Sequence, residues 1–83
     1  VGIKYYYTYQ LESLSIPGQK YTGFTTDLRR RLAEHNSGKL ENTACYVPWR
    51  ITSAHAFLTK HKALAFETYL KSGSGREFAM RHF

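Results

Sequence analysis

The run Lys4-Tyr5-Tyr6-Tyr7-Thr8-Tyr9-Gln10-Leu11, followed by Lys20-Tyr21-Thr22-Gly23-Phe24, decides the architecture of this chain. In the first run Tyr5, Tyr7, Tyr9 and Leu11 fall on one side and Tyr6, Thr8 and Gln10 on the other. That period of two sends alternate side chains to opposite faces of a strand. Tyrosine and threonine suit such a surface because their bulk packs well on pleated backbone. Glu12 to Gln19 holds the turn pair Pro17 and Gly18, and Lys20 to Phe24 is a second β-favouring run. The spacing predicts a hairpin.

Working outward, Thr25, Thr26 and Asp27 are helix-opening residues, and Asn36-Ser37-Gly38 is a stop, so the Leu-, Arg- and Glu-rich span between them predicts a first helix. Residues 38–48 read as loop, closed by Pro48, and Trp49 to Leu58 suits a third strand. Thr59 caps a second helix running to about Lys71. Ser74 and Glu77 have the spacing of a capping box before a short last helix carrying Phe78. The expected fold is α/β: a small, three-stranded, mainly antiparallel sheet flanked by helices in the order ββαβαα.

The 83 residues, 42% hydrophobic and 22% charged, make one domain over 1–83 with one compact core. No run approaches the roughly 20 apolar residues of a membrane helix, and no signal peptide is expected. Cys45, the only cysteine, can form no internal disulfide and lacks the companions of a zinc site, which fits a reducing cytoplasmic location. Twelve lysines and arginines against six acids leave a net charge of +6. Such an excess attracts polyanions, and nucleic acid is the expected partner.

Several residues stand out from the structural pattern. On the first helix Leu28, Arg31, Leu32 and His35 share one face, so two basic groups sit on the apolar side. Arg31 with its stem along the core, and His35 as a satisfied buried histidine, are the plain structural readings. On the second helix Ala63, Phe66 and Leu70 form the buried stripe, with Glu67 at its edge. A carboxylate there needs an ion pair, with Arg31 or with Lys71 at i+4, or a divalent cation that keeps most of its water. Tyr9 and Tyr21 sit where the hairpin strands pair, and Gly23 beside them permits a close approach.

Taken together, Tyr7-Thr8-Tyr9, Tyr21-Thr22-Gly23, the Asp27–Leu32 and Glu34–Gly38 segments and Glu67 resemble the GIY-YIG nuclease superfamily over nearly the whole chain. Within it the chain is most similar to small, single-domain bacterial proteins grouped with the URI nuclease-like domains, whose tails resemble residues 71–79. The first motif departs as Tyr-Thr-Tyr for Gly-Ile-Tyr, the second carries Thr22 for isoleucine, and no asparagine follows Asn42. By position, the resemblance implies Tyr9, Tyr21, Arg31, His35 and Glu67 as catalytic residues, with Glu67 also the ligand of Mg²⁺ or Mn²⁺. The implied reaction is metal-dependent hydrolysis of phosphodiester bonds, with DNA as the expected substrate. Tyr9 is the implied general base, its pKa lowered by neighbouring positive charge, or else His35 shuttles the proton.

Gly23, Lys20, Arg29, Arg30, Lys39, Arg50 and Lys62 are the candidate nucleic-acid contacts, and a protein partner for targeting is compatible with so small a domain. The alternative is a noncatalytic module of the same fold that binds nucleic acid through these residues and needs no metal. An RNA-recognition sheet is disfavoured, because Lys20 to Phe24 is only a fragment of its aromatic motif.

Overall fold

The computed structural model describes residues 2–82, and, among the side chains of the last helix, those of Glu77, Met80 and Arg81. Strands β1 (Tyr6–Ser13), β2 (Lys20–Thr25) and β3 (Trp49–Phe57) alternate with helices α1 (Leu28–Asn36), α2 (Lys60–Lys71) and α3 (Gly73–His82) in the expected order. The sheet runs β2-β1-β3 and both pairings are antiparallel.

β1 begins two residues later than the tyrosine alternation suggests and ends at Ser13 rather than Leu11. Its ladder starts at Tyr6 opposite Phe57 and continues through Glu12 opposite Lys20 and Arg50 to Ser13 opposite Trp49. Lys4 and Tyr5 alternate correctly but have no strand partner. β3 ends at Phe57, and Leu58 is exposed.

Register assigns the two faces. Tyr9 lies opposite Gly23 and Leu11 opposite Tyr21, and this face carries the core of Tyr9, Leu11 and Trp49, against which Leu28 and Leu32 of α1 pack. Thr8, on the other face, donates its hydroxyl to the Ala63 carbonyl of α2, and Phe66 packs on His55 and Phe57 of β3. The sheet is therefore covered by α1 on one side and α2 on the other. A shift in the β1–β3 pairing between Gln10 and Leu11 leaves Thr52 as an extra residue in β3, so Ile51 stays opposite Leu11.

The helix ends follow from local chemistry. Asp27 Oδ1 accepts the Arg30 N–H at 3.0 Å, and α1 stops before Gly38, whose φ of 77° favours a residue without a Cβ. Thr59 Oγ1 accepts the Lys62 N–H. The cap of α3 is Ser72, whose Oγ accepts the Gly75 N–H at 3.1 Å. Ser74 lies inside α3, so the expected Ser74–Glu77 capping box does not define this helix start; Glu77 instead pairs with Arg81. The side chains of Ser74 and Phe78 lie outside the described residues.

Candidate active site

The site is built where α1 crosses the Tyr9 face of the sheet. Tyr9 is 2% exposed and His35 1%, because the i, i+3, i+4, i+7 spacing turns Leu28, Arg31, Leu32 and His35 together toward the strands. The Tyr9 hydroxyl meets His35 Nε2 at 2.8 Å, and the Tyr21 ring packs edge-on against the imidazole with centroids 4.9 Å apart. Tyr9 and Tyr21 are diagonal neighbours on one face, 6.4 Å between centroids.

Gly23 is required by this packing rather than by a turn. A Cβ built there would lie 2.5 Å from the Tyr9 hydroxyl oxygen and 2.6 Å from its ring carbon. The tyrosine fills the volume that any other side chain at position 23 would need.

His35 is held at its second nitrogen by a residue that sequence reasoning missed. Thr43, buried in the 38–48 loop, places Oγ1 2.9 Å from His35 Nδ1, and the Thr43 hydroxyl is directed to the Leu40 carbonyl at 3.4 Å. A hydroxyl that donates to a carbonyl must accept from the imidazole. Nδ1 then carries the proton, and Nε2 accepts from the Tyr9 hydroxyl. Trp49 Nε1 donates to the Thr43 carbonyl at 3.0 Å. Asn36 clamps the backbone N–H and C=O of Trp49, which fixes the loop against α1. Nothing in an aperiodic loop marks one threonine, so no sequence signal singled out Thr43.

Arg31 is a third exposed at its side chain, with Nη1 3.1 Å from Glu34 Oε1. Its Nε is buried and has no hydrogen-bond partner among the described residues. An unsatisfied buried N–H costs free energy, which the other guanidinium contacts offset. A side-chain hydrogen bond to Tyr9, then one to Glu34, holds the arginine pKa above its ordinary value, so the charge is permanent.

Burial pushes the Tyr9 phenol up, and the Arg31 guanidinium opposes this without reversing it. The direction is opposite to the lowering expected from positive neighbours, because desolvation of a buried phenolate outweighs one partly solvated cation. Burial, followed by the Arg31 charge, pushes His35 below the usual histidine range. His35 is thus neutral at pH 7, with Nε2 as a hydrogen-bond acceptor.

Glu67 sits on α2, its side chain 18% exposed and its Oε2 2.9 Å from Lys71 Nζ. Of the two ion pairs considered from sequence, Lys71 is the partner and Arg31 is not. The Glu67 charge is nevertheless near enough to raise the Tyr9 pKa. Glu67 Oε1 makes no hydrogen bond among the described residues, where no group of three or more His, Cys, Asp or Glu is arranged to hold a metal. A cation here would take one carboxylate and keep the rest of its shell as water, the arrangement Mg²⁺ favours.

Lys20, Arg29, Arg30, Lys39 and Lys62 are exposed. Arg50 differs: its guanidinium is held by Glu12 across the β1–β3 pair at 2.7 Å, and that bond holds the Glu12 pKa below the usual carboxylate range. Among the described residues no helix is long and apolar enough to cross a membrane.

The family model of the GIY-YIG catalytic domain matches residues 5–80. The chain belongs to the GIY-YIG family. A UPF0213 protein of Streptococcus pneumoniae is 44% identical over 66 residues, 78% of this chain and 65% of the relative. One of Lacticaseibacillus paracasei is also 44% identical, over 86% of this chain and 79% of the relative. The chain thus spans 65% of the pneumococcal relative's length. The solution NMR structure of a UPF0213 protein from Bacillus halodurans is 34% identical, covers 93% of this chain and 83% of its own, and superposes with a TM-score of 0.55. This likeness bears out the three-stranded antiparallel GIY-YIG fold.

Proposed function

We propose that the chain is a metal-dependent endonuclease that hydrolyses phosphodiester bonds, with DNA as substrate. The observation that carries this reading is the partly exposed Arg31 guanidinium on the same helix face as His35, whose Nε2 meets the Tyr9 hydroxyl. A guanidinium so placed is suited to a phosphate oxygen, and charge building on phosphorus in the transition state would strengthen the contact.

The remaining residues fit the same chemistry. Tyr9, its proton directed to the neutral Nε2 of His35, takes a proton from the attacking water as its own passes to the imidazole. Thr43 keeps Nδ1 protonated so that Nε2 stays the acceptor. Tyr21, packed on His35, orients the water. Glu67 would hold Mg²⁺ or Mn²⁺, which when bound supplies Lewis-acid stabilisation of the leaving oxygen. Exposed Lys20, Arg29, Arg30, Lys39 and Lys62 supply sequence-independent attraction to the backbone.

The test is cleavage of supercoiled, linear and single-stranded DNA, with RNA alongside, in Mg²⁺, Mn²⁺ or EDTA. Cutting is expected only with metal, falling about 10²- to 10³-fold in Arg31→Ala and to background in Glu67→Gln, both variants remaining folded by circular dichroism. Salt-sensitive binding without cutting under every condition would replace this reading with a noncatalytic nucleic-acid module.

A further inference from the structure

A cavity among the described residues lies outside the Tyr9–His35 cluster. It is an open groove of about 740 Å³ between the β2 side of the sheet and the end of the helical layer, with Gln10, Lys20, Tyr21, Thr22, Lys71 and Met80 in its wall. This volume is in the range of roughly 300–1,000 Å³ typical of sites for small organic ligands. Among the described residues its lining includes two lysines and no carboxylate.

The floor is preformed. Gln10 and Thr22 are cross-strand partners, and Lys20 follows on the same face of β2, opposite to the Tyr9 face. Gln10 Nε2 donates to Thr22 Oγ1 at 3.2 Å, and the Ser53 hydroxyl lies 3.5 Å from Gln10 Oε1. The amide is thereby oriented, with a second N–H and an oxygen lone pair left over. Met80 is 77% exposed and adds an apolar wall.

Two lining residues tie the groove to the candidate active site. Tyr21 also packs on His35, and Lys71 is the ion-pair partner of Glu67. Through these two residues the groove adjoins the candidate active site from the opposite face of the sheet.

We propose that the groove is a nucleotide subsite taking one unpaired nucleotide of a nucleic-acid strand. Lys20 and Lys71 bind its phosphate, and Gln10 and Thr22 bind the edge of its base. A paired base has that edge occupied by its complement, so the site selects single-stranded or unstacked substrate. That the bound strand is also the one cut rests on the nuclease reading, whereas nucleotide binding in the groove does not.

The probe is thymidine 3′,5′-bisphosphate, which carries phosphates on both sides of one nucleoside and no phosphodiester to cut. It is titrated in EDTA into ¹⁵N-labelled protein. The Gln10 side-chain amide and the Lys20 and Thr22 backbone amides are expected to shift, and Kd is expected to weaken about tenfold in Gln10→Ala and in Lys20→Ala. Shifts confined to the surroundings of Gly23, Arg31 and His35, or an unchanged Kd in both variants, would overturn the subsite. Groove shifts in a protein that never cuts nucleic acid would keep the subsite and discard the nuclease. Metal-dependent cutting without groove shifts would do the reverse.

Discussion

Single residues carry more of this site than their exposure suggests. Gly23 is the clearest case: Gly23→Ala is expected to displace Tyr9, break its bond to His35 and cost about 1–3 kcal/mol, read as a lower urea midpoint. The same residues set a pH response. Both His35 and His55 are pushed below the ordinary value of 6.5, His35 by burial and then Arg31, His55 by burial. The unfolded chain therefore binds protons more readily than the folded one. Stability is complete above about pH 6.5 and declines as pH falls below it toward the folded pKa values. Urea unfolding at about pH 7.5 and about pH 5.5 checks this, and the slope is expected to shrink in His35→Gln. The sequence made Tyr9, Arg31 and His35 legible because helical spacing placed two basic groups on an apolar face. It could not reveal that burial outweighs Arg31 at the phenol, since that balance depends on how completely the sheet and α1 exclude water.

At the scale of elements, the order ββαβαα was legible because alternation, caps and stops agree with one another along the chain. Disagreements arise where a local signal has no partner to act on. Lys4 and Tyr5 continue the alternation of β1 beyond the last paired residue. Thr52 preserves the appearance of alternation in β3 while adding a residue to the pairing. Ser74 and Glu77 have capping-box spacing, yet Ser72, two residues earlier, receives the Gly75 N–H. Ser72→Ala is accordingly expected to cost about 1 kcal/mol, read as a lower thermal midpoint. An unchanged midpoint would place the start of α3 elsewhere. Glu67 belongs to this scale too: spacing marked its awkward position on α2, and only the packed structure chose Lys71 over Arg31 as its partner.

Across the whole molecule, the charge of +6 is unevenly available, since Arg50 is committed to Glu12, while Arg29 and Arg30 face solvent. Replacing Arg29 and Arg30 by alanine is expected to weaken oligonucleotide binding and to flatten the dependence of log K on log salt by about one for each phosphate no longer neutralised. An unchanged slope would mean that the nucleic acid lies elsewhere. The division of the chain around its exposed Gly38–Lys39 segment has a further consequence. Tyr9, Tyr21, Arg31 and His35 precede it, Thr43 and Glu67 follow it, and the halves meet along the β1–β3 ladder. A polypeptide nicked there would carry an incomplete set of reactive groups on each fragment, so restored cutting would report their reassociation, making the domain a candidate split reporter for the proximity of two fused proteins.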